Sequence, residues 1–332
     1  MDHNIKFIAQ RAGVSPATVS RVLNGTKRVS AEVTERVLRE VQKYNYRPNF
    51  HARGLITRKS NLIAVIAPNV SDAFHARIIS AITRRAAERD YNVIVANIYG
   101  DFQRQLRSCA LLAERSIDGL VILHENTEEE LAALVREVDV PMVLASVNVP
   151  GSLLPSVGID DEQAACDAVN YLLRIGHRKI AGVFCAGQTM GVLRKAGYLR
   201  ALREAGIKKA DELIVESETS MGFGEEAIRA LLRLEARPTA VFCAADELAV
   251  DMINLLTDHG YRVPGDISVF GFDDVNATQL RPRLSTIAQP IEAIGGAACD
   301  LLLDRIEGKC VPLVKQILPH RLTVRDSCRA MD

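Results

Sequence analysis

Asp273 and Asp274 stand side by side just after the apolar run Ile267–Gly271. A carboxylate at the end of a strand can accept two hydrogen bonds from the hydroxyls of a sugar, and open α/β sheets bind their ligands at that end. The pair could also be imagined as metal ligands, but no histidine lies near it in the chain. Gly222, Gly224 and Ala227 match the G-x-G-x-x-A pattern of a dinucleotide turn, after a possible strand at 212–215. That chemistry needs a strand running straight into the turn and an acid about 20 residues further on at a strand end. Here Glu216 to Met221 intervene, and the nearest acid, Asp246, already opens another helix. There is no G-x-S-x-G elbow, no P-loop and no H-E-x-x-H. No catalytic set emerges, so the chain is expected not to be an enzyme and to use neither a metal nor an organic cofactor.

A different chemistry is written between residues 5 and 24. Pro16, Ala17, Ser20 and Arg21 fall on one face of a short helix, and small, hydroxyl and guanidinium groups suit the edge of a base pair. The elements that would present this face follow from local rules. Ile5, Ile8 and Ala9 make one side of a first helix, and Gly13 sits where a helix end needs positive φ. Ser15 can cap the second helix, Pro16 fits its first position, and Val19 and Leu23 turn inward. Ser30 can cap a third helix whose Val33, Val37 and Val41 recur every four residues, with Tyr44 extending the stripe. The same spacing would suit an ordinary amphipathic pair, but three short helices sharing one apolar centre make a small domain. Pro48 ends the pattern. Asn49 can cap a further helix, Phe50 to Leu55, that is too short to be stable alone.

Charge separates the two parts of the chain. The whole is neutral, with 41 basic and 41 acidic residues. Residues 1–60 hold 12 Lys+Arg against 4 Asp+Glu, a net of +8, so the remainder carries −8. A basic head on an acidic body fits a DNA-contacting module whose cargo stays off the phosphates.

From residue 61 short β-rich runs alternate with helical ones. Strands are expected at Leu62–Ala67, Asn92–Asn97, Gly119–Leu123, Pro141–Ala145, Ser156–Ile159, Lys179–Cys185, Glu212–Val215, Thr239–Cys243 and Ile267–Gly271. Continuous apolar runs suit strands covered on both faces, hence parallel βαβ units in one or two doubly wound sheets. The seven cysteines form no C-x-x-C pair and mostly sit in apolar surroundings, as reduced core thiols would. No signal-peptide-like segment opens the chain and no run approaches the ~18 apolar residues of a membrane helix, so a cytoplasmic protein with no membrane partner is expected.

Over essentially its full length the chain resembles the lactose- and galactose-repressor (LacI/GalR) family of bacterial transcription regulators. The resemblance rests on A-G-V-S-x-x-T-V-S-R-V-L-N at 12–24, V-S at 29–30 and Y-R-P-N-x-x-A-R-x-L at 46–55. It continues in D-G-L-V-I-L at 118–123, G-H-R at 176–178, V-P-G-D-I-S-V-F-G-F-D-D at 263–274 and R-L-S-T-I-A-Q-P at 283–290. It implies a small all-α helix-turn-helix head at 1–48 and a hinge helix and linker at 49–60. The body at 61–332 would be α/β: two doubly wound parallel-sheet subdomains, periplasmic-binding-protein-like, crossed by the chain near 160, 289 and 319. It further implies a ligand-responsive regulator, a repressor of carbohydrate-related genes, that binds a palindromic double-stranded operator as a homodimer. Pro16, Ala17 and Arg21 would face bases, while Ser15, Ser20, Asn24 and Arg28 hold or approach the backbone. Ile5, Thr18, Asn49 and Ala52 join the DNA-facing set, and Leu55 would wedge into the central minor-groove step. No leucine heptad follows Leu322-Thr323-Val324, so no tetramerising helix is expected.

A small effector, a sugar or sugar derivative, would sit in the cleft of the body. Phe74, His75, Asp160, Gln188, Arg194 and Asp273 match or neighbour the family's cleft positions. Read on its own, Arg194 could instead pair with a helix-end carboxylate, and Asp273 could be a solvated turn residue. Two departures stand out. Ala244-Ala245-Asp246 lacks the asparagine of the family's A-N-D triplet, and Ser217 stands where an aromatic is common. His75 also replaces an aromatic hydrocarbon. These point to a more polar pocket and make a phosphorylated or acidic sugar derivative plausible. A nucleoside or other metabolite acting as co-repressor is the alternative. A sugar-binding transport protein would share the body but would need a signal peptide and no basic head.

Overall fold

The computed structural model describes residues 4–24, 29–46, 59–98, 101–114, 117–149, 151–186, 189–207, 213–217, 237–310 and 315–331. It divides into two units, residues 1–60 and 61–332, each described by itself.

In the first unit, α1 (Ile5–Ala12) starts at Asn4, whose Oδ1 accepts the Phe7 N–H at 3.0 Å. It stops at Gly13, which adopts φ 63°, a left-handed conformation that costs glycine no Cβ clash. Ser15 Oγ then accepts the Thr18 N–H at 3.1 Å, and α2 (Pro16–Asn24) begins. Ser30 caps α3 (Ala31–Lys43) in the same way, through Val33. The three helices bury Ile8, Ala9, Ala12, Val19 and Val37 together, with Leu23, Val33 and Val41 packed around them. Phe7 and Tyr44 meet edge to face at 5.0 Å.

The second unit holds two six-stranded sheets. The first joins β1 (Leu62–Ala67), β2 (Asn92–Asn97), β3 (Gly119–Ile122), β4 (Met142–Ala145), β5 (Ser156–Gly158) and β11 (Lys315–Ile317), in the order β11-β5-β4-β3-β1-β2. The second joins β6 (Ile180–Cys185), β7 (Ile214–Ser217), β8 (Ala240–Cys243), β9 (Ser268–Asp273), β10 (Ser285–Ala288) and β12 (Arg321–Thr323), in the order β12-β10-β9-β8-β6-β7. Among the described strands every pairing is parallel except β10 with β12. Strand order reverses beside β1 in the first sheet and beside β6 in the second, which makes a switch point in each.

The helices of this unit are α4 (Ala73–Ala87), α5 (Phe102–Glu114), α6 (Glu128–Glu137), α7 (Asp161–Arg174), α8 (Thr189–Glu204), α9 (Asp246–Asp258) and α10 (Ile291–Ile306). The chain passes from the first sheet to the second after β5, returns after β10 through α10, which packs on α4, and crosses again between β11 and β12. Ion pairs lace α4 to α10: Arg77–Glu292, Arg85–Asp300 and Arg89–Asp304. Gly295 lets the two helices touch, because a Cβ there would stand 2.8 Å from the Ile78 carbonyl oxygen.

Beyond shifts of a residue at their ends, the strands differ from the expected set in four ways. The strand placed at Glu212–Val215 runs instead over Ile214–Ser217. β9 continues to Asp273, so that carboxylate belongs to the strand end itself. β10, β11 and β12 were not expected; β10 reads as polar because Ser285 and Thr286 are buried there only with partners from distant segments. The strand β2 was read as covered on both faces, but it lies at a sheet edge with Ile94 and Val95 exposed.

Candidate functional site

A cavity of about 490 Å³ opens where the carboxyl ends of the two sheets face each other. Its walls come from the switch points: Pro68 and Asp72 after β1, Leu123, His124 and Glu125 after β3, Cys185 at the end of β6, and Ala244 to Glu247 after β8. Phe74, His75, Arg194 and Asp273, all expected at the site, line it together. This is where doubly wound sheets hold ligands, because the loops there are free of the core.

Arg194 organises the floor. Its Nε donates to Asp161 Oδ1 at 2.8 Å and its Nη1 to the Ala244 carbonyl at 2.6 Å, while Nη2 lies 3.4 Å from Asp273 Oδ1. The guanidinium rests on the Phe272 ring, 3.7 Å from its centroid. Both readings of this residue therefore hold: it pairs with an acid in the first turn of α7 and it faces the cavity. Asp273 Oδ1 also accepts from Gln289 Nε2 at 2.7 Å. Its backbone sits at φ 112°, a conformation that costs a non-glycine residue about 1–3 kcal/mol and is kept where the surroundings over-determine it. Burial, opposed in part by Arg194, pushes the Asp273 carboxyl up to about 7.

Asp160 is a correction. It is exposed and absent from the cavity wall, and its Oδ1 accepts the Gln163 N–H at 2.9 Å as the cap of α7. One residue on, Asp161 is turned inward to Arg194; a single step along a helix start decides which acid serves the site. Gln188 lies outside the described residues, as do Gly222, Gly224 and Ala227.

The other acids of the wall are held by the fold. Asp72 Oδ1 caps α4 through the Phe74 N–H at 2.7 Å, and its Oδ2 lies 2.8 Å from His75 Nδ1. Asp246 accepts from the Val275 N–H and the Thr286 hydroxyl, both at 2.7 Å, and burial raises its carboxyl well above the usual range. Where the family's asparagine would offer an amide stands Ala245, and the next residue, Asp246, turns its carboxylate into the core. Glu125 Oε2 accepts the Thr189 N–H at 2.6 Å. Burial raises Glu125 and Glu247 and lowers His124, which favours the neutral imidazole.

The polarity expected of this pocket is present, but its sign is reversed. Asp72, Glu125, Glu130, Asp246, Glu247 and Asp273 line the cavity with a single guanidinium among the described residues, and that guanidinium has Nε and Nη1 engaged. The acids outnumber the basic groups on this wall, which weighs against the phosphorylated or acidic ligand expected from the sequence. Phe74 and Phe102 of the first subdomain line the cavity. Phe102, His124 and Glu125 were not singled out from sequence, although the last two directly follow the recognised run 118–123.

In the head, Pro16, Ala17 and Arg21 are exposed on one side of α2, and Ser20 is half-buried. Ser15 and Thr18 are tied to each other by a 2.9 Å contact between hydroxyls. The Ile5 side chain packs against the core of the head. Asn24 ends α2, while Arg28, Asn49, Ala52 and Leu55 lie outside the described residues.

A capped helix-turn-helix joined to a two-lobed ligand-binding body defines a ligand-responsive DNA-binding regulator. Residues 4–49 match the bacterial regulatory proteins of the lacI family, and residues 169–328 match a periplasmic binding protein-like domain. The chain is 36% identical over 334 residues to catabolite control protein A of Priestia megaterium, covering 99% of this chain and 100% of that one. Among solved structures, the lac repressor dimer bound to operator and the anti-inducer ONPF superposes with a TM-score of 0.89 at 27% identity, over 98% of this chain and 99% of that one. The complex of the transcriptional regulator CelR with cellobiose gives 0.74 at 29%, with the same coverage. The chain belongs to the LacI family of bacterial transcription regulators.

Proposed function

We propose that the chain is a cytoplasmic repressor of carbohydrate-related genes, which binds a palindromic operator as a homodimer and holds a sugar or sugar derivative in the cavity of its body. The observation that carries this reading is the Arg194–Asp273 pair, set in a cavity where the switch points of both sheets meet. Two neighbours support it, since CelR is known with cellobiose and the lac repressor as a dimer on its operator. The exposed Ile94 and Val95 on the edge strand β2 offer an apolar surface to a second copy. Arg21 is the residue assigned to bidentate reading of a guanine, with Pro16 and Ala17 discriminating by methyl contact and shape. Leu55 and Ala52 would form the hinge that bends the duplex, and effector binding would order or melt that short segment.

The test is selection of bound duplexes from a random DNA pool by the full chain at near-physiological salt. An enriched palindrome is expected, and cell metabolites added to the selection should weaken or strengthen it. Enrichment of single half-sites, or of no sequence with metabolites present, would refute the dimeric reader.

A further inference from the structure

We propose that Glu125 is a latch that holds the two lobes of the body closed before any ligand arrives, whatever ligand the cavity takes. The contact itself is the first observation. Glu125 Oε2 accepts the Thr189 N–H at 2.6 Å and Oε1 the Met190 N–H at 3.2 Å. Both donors belong to the first turn of α8, so no residue within that helix can accept from them. A carboxylate from the opposite lobe therefore does the work of a helix cap, and the positive end of the helix favours it further.

Placement is the second observation. The strands that feed the crossovers, β5 and β11 in the first sheet and β10 and β12 in the second, lie together at one edge of each. Glu125 follows β3, two strands in from β5, and α8 follows β6, three strands in from β10. A contact set away from the hinge is displaced most when lobes part, so it restrains opening most. Nearer the crossovers, Arg77 donates to the Asp274 carbonyl at 3.1 Å and is itself fixed by Glu292 of α10 at 2.8 Å. Glu125 and Met190 also line the cavity of about 490 Å³, so room for a ligand exists while the latch is shut. A ligand that meets a body already closed is spared the cost of closing it.

Pulsed dipolar distances between spin labels at Leu111 on α5 and Arg203 on α8, both exposed and on opposite lobes, test this on the full chain. The labels ride on non-natural residues, because the chain has seven cysteines of its own. The protein is first unfolded and refolded to shed any bound small molecule, then mixed with an excess of unlabelled chain. The parent is expected to show one short-distance population. Glu125→Ala should add a longer one, with the open-to-closed ratio raised roughly fivefold or more, the effect of losing an ordinary cap. Thr189→Pro deletes the shorter bond from the other side, yet suits the first position of a helix, and should shift the ratio the same way. The double variant should match Glu125→Ala, since both changes remove one contact. A parent that is already open overturns the latch, as does a Glu125→Ala chain as closed as the parent or a double variant in which the two effects multiply. If Glu125→Ala does not fold, Thr189→Pro decides alone, and distances equal to the parent's defeat the proposal.

Discussion

Glu125, in the turn after β3, closes the amino terminus of a helix in the opposite lobe: its two oxygens accept the Thr189 N–H at 2.6 Å and the Met190 N–H at 3.2 Å. A helix start leaves its first N–H groups unmet and carries partial positive charge, so a carboxylate is favoured there. Arg77 makes a second tie between the lobes, donating to the Asp274 carbonyl at 3.1 Å. Glu125 and Met190 line the cavity, so the first tie couples the lobes at a surface that a ligand would meet.

Removing the Glu125 tie should loosen the body. Glu125→Ala leaves two N–H groups of α8 without an acceptor and is expected to cost about 1–2 kcal/mol, the range of a lost helix cap. Glu125→Gln keeps an acceptor and should lose less. Hydrogen exchange at Thr189 and Met190 reads the contact directly, and rates in Glu125→Ala equal to the parent's would refute it.

Arg194→Ala should be far more damaging. It strands Asp161 and Asp273, both largely buried, without their shared cation, and breaking a buried pair costs about 3–5 kcal/mol. Urea denaturation should show a midpoint well below the parent's. Adding Asp161→Asn should recover part of the loss by removing one stranded charge; if the double variant is as unstable as the single, the cost lies elsewhere.

How much of this was legible in the sequence depends on whether a residue's role was local. The head was readable because Asn4, Gly13, Ser15 and Ser30 act on backbone within a few residues of themselves. The strand β1 was readable because both its faces are covered and all its residues are apolar. The strand β10 was not, since its buried hydroxyls are admissible only through Asp246 and the Arg325 N–H, about forty positions away in either direction. Glu125 and Asp161 were missed for the same reason: each looks like an ordinary acid beside a turn until a distant segment of the chain supplies its partner. The sign of the pocket's charge was hidden too, because Asp72, Glu247 and Asp273 come together only in the fold.

The body should be most stable in mildly acidic solution. Burial raises Asp273 to about 7, Asp246 well above the usual range, and Asp161, Glu125 and Glu247 in the same direction. An acid raised in the folded state binds its proton more tightly there than in the unfolded chain. Stability from these groups is therefore fully present at low pH and is lost as pH rises from about 4 through about 7. Surface acids paired with Arg or Lys, such as Asp304, Glu307 and Asp326, are lowered and act oppositely: their contribution fades as pH falls below about 4. Melting temperature should peak near pH 5 and decline toward pH 8, and Asp273→Asn should flatten that decline. A profile that rises from pH 5 to 8 would contradict the assignment.

In the head, folding and reading should separate by residue. Gly13→Ala meets no atom within 4 Å, so its penalty is purely that of holding φ 63° with a Cβ, about 1–2 kcal/mol. That change should lower the melting temperature of the head and weaken every operator sequence alike. Arg21→Ala touches no core residue and should leave folding intact. If Arg21 reads a guanine, its loss relaxes preference at one base pair of each half-site by ~1–3 kcal/mol and leaves the other positions as selective as before. If it holds phosphate instead, affinity falls uniformly and the salt dependence becomes shallower by about one counterion. Binding curves on a panel of single-base operator variants at two salt concentrations decide between them, with position-restricted loss the expected result.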